Sequence, residues 1–197
     1  VAAQSKRRRG APRRDRDWLA LRPRASRSGI ASWLGERGSL TARLRAHCRQ
    51  FSLLRLGQCL ARPRRDEAPL LGLPRRQQAW TREVVLCADG VPVVYAHSVA
   101  HPEVLRGAWR LLERLGSRPV GDAVFARAQT RRGEIRVRRL RARDPLQRAA
   151  CAHAGLAPST RLWARRSAFV HRGQALWVTE VFLPATALLR RQATHPR

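Results

Sequence analysis

The sequence predicts an α+β domain built on an antiparallel sheet, and two observations carry that expectation. Apolar stretches occur in pairs joined by two-residue turns: 81–87 and 91–95 flank Asp89-Gly90, and 162–171 and 174–183 flank Arg172-Gly173. Asp-Gly between such stretches is a strong short-range hairpin signal. Helical spacing is confined to separate segments, most clearly Val104, Leu105, Ala108, Leu111, Leu112 and Leu115. Hairpins with segregated helices point to an antiparallel sheet rather than to βαβ units. A chain of 197 residues with 44% hydrophobic content suits one domain with a sizeable core.

The elements follow in order. Residues 30–34 are expected to form a short helix. Ser39 can cap a second helix from Leu40 towards Gln50, with Leu40 and Leu44 on one face. Residues 51–56 read as a strand, and the Pro- and charge-rich stretch 63–74 as a connector. The hairpin 81–95 comes next. Pro102-Glu103 opens a helix running through Leu115, which Gly116 stops; its apolar stripe reads as core packing. Pro119-Val120-Gly121 makes a turn or short segment before Phe125. Residues 134–140 alternate as a strand does, 145–155 are helical or irregular, and the second hairpin ends the fold.

Charge is extreme: 41 basic residues against 13 acidic give +28. Taken alone, this suggests nucleic acid or an anionic surface. Lys6 is the only lysine, however, and arginine, alanine, leucine and glycine are abundant throughout, which reads as a compositional bias rather than a binding patch. Residues 1–29 are expected to be a basic, disordered tail, 30–189 the folded domain and 190–197 a C-terminal tail. No specific nucleic-acid partner is expected. No apolar run of membrane-spanning length occurs, and no apolar core follows the first arginines, so neither a membrane helix nor a secretory signal is expected.

Cys48, Cys59, Cys87 and Cys151 are widely spaced, without a C-x-x-C pair. Cys87, in an apolar strand, reads as a buried small hydrophobe. The expectation is a reduced, cytoplasmic protein without a metal. Phosphate-loop, dinucleotide and serine-hydrolase signals are absent from the sequence.

Two charged positions stand out. Glu180 lies within Trp177-Val178-Thr179-Glu180-Val181-Phe182-Leu183-Pro184. Side chains alternate along a strand, so Glu180 shares a face with Leu176, Val178 and Phe182, while the other face is also mostly apolar. An ionised carboxylate there needs a partner, either a ligand or a core arginine. Upstream, Arg82 falls with Val84 and Leu86, and Glu83 with Val85 and Cys87. Taken alone, both would more commonly sit at a solvated strand end.

Four segments, in order, resemble bacterial chorismate pyruvate-lyases, which make 4-hydroxybenzoate for ubiquinone. They are Gly38-Ser39-Leu40-Thr41, the run from Trp80-Thr81-Arg82-Glu83 to Asp89-Gly90, Leu115-Gly116-Ser117-Arg118-Pro119-Val120-Gly121, and Thr179-Glu180-Val181-Phe182-Leu183-Pro184. The resemblance spans roughly residues 30–189. It implies a six-stranded antiparallel sheet with surrounding helices that enclose an internal pocket, and no metal or organic cofactor. It implies that Arg82 pairs with the ring carboxylate of chorismate, that the backbone N–H groups of Leu40 and Val120 bind the same carboxylate, and that Glu180 meets the ring hydroxyl. Arg82 and Glu180 are the implied catalytic pair, with Glu180 orienting the hydroxyl, accepting its hydrogen bond or taking the adjacent ring proton. A monomer is expected, with product passing to a membrane prenyltransferase. The arginine-rich stretch 131–143 reads as a strand edge with solvated arginines, or as the source of a cation for the enolpyruvyl carboxylate. A non-catalytic sensor of aromatic acids on the same fold is the alternative, because fold does not fix function. A nucleic-acid-binding protein rests on charge alone.

Overall fold

Both tight turns occur where the sequence predicts them. Asp89 and Gly90 have φ of 50° and 78°, and Arg172 and Gly173 have 49° and 76°. Positive φ at both central positions gives a turn whose twist matches that of the flanking strands. Residues 17–21, 29–74 and 76–190 are described by a computed structural model. The elements run β1 (Leu19–Ala20), α1 (Ile30–Leu34), α2 (Leu40–Arg45), β2 (Phe51–Ala61), α3 (Ala68–Leu71), β3 (Ala79–Ala88), β4 (Val91–Ala100), α4 (Val120–Phe125), β5 (Arg131–Arg132), β6 (Arg136–Arg139), α5 (Pro145–His153), β7 (Trp163–His171) and β8 (Gln174–Phe182).

The strands form one antiparallel sheet in the order β1-β6-β7-β8-β4-β3-β2, with β5 also paired to β7. It has eight strands, not the six expected. The two additional strands, β1 and β5, have two residues each. Segments that short continue a ladder without any alternation of their own. β1 also corrects the expected tail. Leu19 and Ala20 pair with Val137 and Arg136 of β6, and Trp18 is buried with its indole N–H donating to Asp66. Leu19 and Ala20 therefore belong to the sheet, and the other tail expectations lie almost wholly outside the described residues.

The expected helix 102–115 is instead two 3-10 turns, Pro102–Arg106 and Arg110–Arg114. The break has a local cause. The N–H of Ala108 donates to the side-chain oxygen of Gln174 at 2.8 Å, not to a carbonyl one turn back. A Cβ on Gly107 would lie only 2.8 Å from that oxygen. The apolar stripe is buried all the same, with Val104, Leu105, Leu112 and Leu115 in the core. Residues 119–121 open α4 rather than a turn. β2 runs well beyond residue 56. Cys87 is half-buried, because it falls beside the β3–β4 register shift.

Both faces of the sheet are covered. Against the front face pack α1, α2, α4 and the 102–115 turns, through Trp33, Leu40, Leu44, Trp109, Leu112 and Val124. The reverse face carries Val85, Tyr95, Leu162 and Val181 under α5 and Trp18. It also carries a buried polar cluster. His97 contacts Glu83 through Nδ1 and Glu67 through Nε2, each at 3.1 Å. Arg64 reaches Glu83 at 3.0 Å, and Arg166 reaches Asp66 at 2.8 Å.

Burial raises the affinity of Glu67 for a proton, but His97, Arg64 and Arg166 outweigh it and hold the carboxyl at about 2. Glu83 is held at about 2 chiefly by its hydrogen bond from His97. Burial depresses His97, yet Glu67 and Glu83 prevail and raise it. The two depressed carboxyls add stability that is present above about 4.5 and lost as the pH falls towards about 2. The raised imidazole adds stability that is present below about 6.5 and lost as the pH rises through its folded value. The urea midpoint should therefore peak between these limits and fall on both sides, with Glu67→Gln flattening the acid limb. A midpoint indifferent to pH across the acid range would contradict the cluster's charge assignment.

Candidate active site

The front face collects charge in two adjacent cross-strand rows. Arg165, Glu180, Ala96 and Val84 face one another across β7, β8, β4 and β3. Ser167, Val178, Ser98 and Arg82 form the next row. Strand alternation turns both rows toward the side covered by α1, α2 and α4. A cavity lies between sheet and helices. Its wall is largely apolar, with Leu53, Val84, Leu86, Phe169 and Val178 among its residues. Leu40, Arg82, Val120 and Glu180 all line this one cavity, so the four residues singled out from the sequence come together.

Arg82 is fourth in β3, not at a solvated end, and only 1% of it is exposed. Its Nη1 donates to the side-chain oxygen of Gln58 at 2.7 Å. Its Nη2 donates to the carbonyls of Gly116 and Arg118 at 3.0 and 2.9 Å. Its Nε is buried without an acceptor. Among the described residues no carboxylate pairs with it, and burial followed by repulsion from Arg55 lowers its pKa to about 10. A buried cation without a counter-ion is costly, so this end of the cavity is suited to an anion.

Leu40 and Val120 are the first residues of α2 and α4. First-turn N–H groups have no acceptor within their own helix. Ser39 satisfies one such group in α2, accepting from the N–H of Ala42 at 3.1 Å. The two helices approach closely at Gly121, where a Cβ would lie 3.2 Å from the Thr41 hydroxyl. A side chain at Gly121 would be in tight contact with Thr41.

At the other end, Glu180 accepts from Arg165 Nε at 2.5 Å, and Arg132 Nη2 lies 3.8 Å from the same oxygen, Oε2. Glu180 thus has a core arginine as its partner, and it also lines the cavity. Arg165 is fully buried and donates through Nη1 to the carbonyls of Trp33 and Glu36 at 3.0 and 2.6 Å. Arg132 donates to Ser167 through Nε and to the carbonyls of Glu36, Arg37 and Gly38 through Nη1. Burial, with a smaller effect of Arg165 and against the pull of Glu180, lowers Arg132 to about 10.

Sequence reasoning missed Arg165. The signal was available, because Arg165-Arg166 puts a charge on each face of an apolar strand, the same anomaly that singled out Glu180. Arg131, Arg139, Arg141 and Arg143 are exposed, whereas Arg132 is an exception to the reading of 131–143 as a strand edge with solvated arginines. It leaves the β5 edge and turns inward, stacking 5.1 Å from the Phe169 ring centre.

Among solved structures of similar fold is a PhnF C-terminal domain (TM-score 0.54, 16% identity, 75% of this chain and 91% of that one). Another is the C-terminal domain of the histidine utilization repressor of Pseudomonas syringae (TM-score 0.52, 10% identity, 75% and 98%). Identities this low speak for the fold alone. Sequence similarity is far stronger elsewhere. A probable chorismate pyruvate-lyase of Aromatoleum aromaticum is 48% identical over 169 residues, covering 85% of this chain and 91% of that protein. One of Thiobacillus denitrificans is 46% identical over 168 residues, covering 85% and 89%. The chorismate lyase family model matches residues 21–194. With that match covering most of its length, the chain belongs to the chorismate lyase family.

Proposed function

We propose that this protein eliminates pyruvate from chorismate to give 4-hydroxybenzoate, acting as a carbon–oxygen lyase. Besides family membership, one observation carries the reading. The charged side chains lining the cavity are Arg82, Arg132, Arg165 and Glu180, three cations and one anion, a net charge of +2. Chorismate carries two carboxylates, so the substrate would neutralise the cavity.

In this reading Arg82 takes the ring carboxylate. Its planar fork suits a carboxylate, and its free Nε supplies a further donor. The first N–H groups of α2 and α4, on Leu40 and Val120, add donors to the same group. Among the described residues, Glu180 is the one carboxylate in the lining. Arg165 holds its Oε2, which leaves Oε1 for the ring hydroxyl and the hydrogen on the carbon that bears it. Arg132 receives the enolpyruvyl carboxylate beside Glu180.

The bonds then balance. Glu180 takes the proton from the hydroxyl-bearing carbon, and the released electron pair forms the third ring double bond. The neighbouring carbon–oxygen bond breaks, the enolpyruvyl group leaves as the enolate of pyruvate, and the enolate takes up one proton at carbon, equal to the one removed, to become pyruvate. Aromatisation drives the reaction, so orientation and fixed charge are the main demands on the protein.

A cytoplasmic location and delivery of product to a membrane prenyltransferase complete the proposal. No helix among the described residues is long and apolar enough to cross a membrane.

Purified protein given chorismate alone should release 4-hydroxybenzoate and pyruvate in equal amounts; folded protein that releases neither would overturn the reading. Arg82→Ala should stay folded and lower kcat/KM by about a hundredfold or more, together with the loss of 4-hydroxybenzoate binding. Arg132→Ala separates the two anion sites. It should raise KM for chorismate by about tenfold while changing 4-hydroxybenzoate affinity by less than about threefold, since the product lacks the second carboxylate. Glu180→Gln keeps the shape and should lower kcat by about 10²–10⁴, measured by single turnover. An unchanged kcat would exclude proton transfer to Glu180.

A further inference from the structure

The reverse-face cluster lies directly behind the active site. Arg166, Thr179, His97 and Glu83 form one cross-strand row through β7, β8, β4 and β3. In sequence each lies between a residue of the Glu180 row and a residue of the Arg82 row. The polar row on the back therefore falls between the two front rows that carry the opposite ends of the cavity. Arg166 Nε donates to the Thr179 hydroxyl at 2.9 Å, and His97 joins β4 to β3 through Glu83.

His97 is the centre of this row. Its two ring nitrogens each face a carboxylate oxygen, on Glu83 and on Glu67. Ionised carboxylates only accept hydrogen bonds, so both contacts are satisfied only when both nitrogens carry protons. Charge counting agrees. Arg64 and Arg166 with an imidazolium make three cations, against the anions Asp66, Glu67 and Glu83. The cluster is neutral only with His97 protonated. Other polar groups facing it are the Tyr95 hydroxyl, 3.4 Å from Arg64 Nη2, Thr179, and the Trp18 indole N–H, which donates to Asp66. On α5, His153 stacks on the Tyr95 ring.

We propose that His97, as an imidazolium clamped between Glu67 and Glu83, is a positioning residue for the reaction, setting the spacing between Arg82 and Glu180 from the opposite face of the sheet. When His97 loses its proton, one of its two carboxylate contacts becomes acceptor against acceptor. The hold of the 63–74 segment, which supplies Arg64, Asp66 and Glu67, on β4 is then weakened, leaving the Arg64 contact to Tyr95. Behind the cavity, the cluster acquires a net charge of −1, which opposes binding of a dianion. Misplacement by about 1 Å is enough to lower turnover by about a hundredfold. The inference rests on the lyase reading, and its test separates the two.

The test compares wild type, His97→Gln and His97→Arg between about pH 5 and pH 9. It reads kcat/KM for chorismate and, independently of turnover, the affinity for 4-hydroxybenzoate by tryptophan fluorescence. Circular dichroism at each pH reports folding. Wild type should lose both kcat/KM and product affinity along a one-proton curve on the alkaline side while remaining folded. His97→Arg, which stays charged and retains several donors, should flatten that curve. His97→Gln should be at least about tenfold weaker at the acid end and insensitive to pH above it. If His97→Arg keeps the wild-type alkaline fall, the proposal is overturned, whether or not the glutamine variant folds. A glutamine variant that melts earlier but follows the wild-type curve would likewise make His97 merely structural. If wild type does not turn over chorismate, the lyase reading fails, and the product-affinity curves still decide the role of His97.

Discussion

The pairing of Arg165 with Glu180 is the interaction on which the site depends. It crosses from β7 to β8 at the level where the cavity ends, and it couples the sheet to its cover. Arg165 is anchored through the carbonyls of Trp33 and Glu36, at and just beyond the end of α1, where the last turn of a helix leaves acceptors free. One guanidinium thus orients the carboxylate, satisfies the end of a helix and fixes the position of the 36–38 loop. Arg132 binds the carbonyls of that same loop from the β5 side. Taking away Arg165 would leave the half-buried Glu180 with one distant cation and would remove one donor from the end of α1.

The two faces of the sheet solve the problem of buried charge in opposite ways. On the reverse face every charge has its complement within the protein, and the carboxyls of Glu67 and Glu83 are held well below their ordinary range. On the front face cations exceed anions, and Arg82 is bound only by an amide oxygen and two carbonyls. Such an imbalance is a poor way to stabilise a fold and a good way to select an anion. Alternation along the strands lets both arrangements exist one residue apart, as in Arg82-Glu83 and Arg165-Arg166.

Much of the site was legible in the sequence, and the reasons are specific. The two-residue turn Arg172-Gly173 leaves no freedom in register, so Arg165 is obliged to face Glu180; that inference was open and not drawn. The β3–β4 hairpin is less transparent. Its register shifts between Leu86 and Cys87, so the facing of Arg82 with Ser98 does not follow from counting outward from the turn. Arg132 was hidden because a two-residue strand has no periodicity to reveal which way its side chains point. The helix expected over 102–115 failed because its apolar spacing suits any helical turn, while the competing acceptor, Gln174, is distant in sequence. The reverse-face cluster depends on the same kind of distance. Glu67 lies in a stretch that reads only as a Pro- and charge-rich connector, yet it is 1% exposed.

Strand order has a consequence for synthesis of the chain. β8 lies between β7 and β4, although it is the last strand made. A nascent chain that has reached the end of α5 holds β2, β3 and β4 but has nothing to cover the free edge of β4. That edge presents Val94, Tyr95 and Val99, which are essentially buried in the finished protein. Open apolar edges template pairing with other chains. The protein must pass through this state on every ribosome until residues 174–182 emerge. The same strand carries Glu180, so the cavity lining and the protection of the edge are completed together.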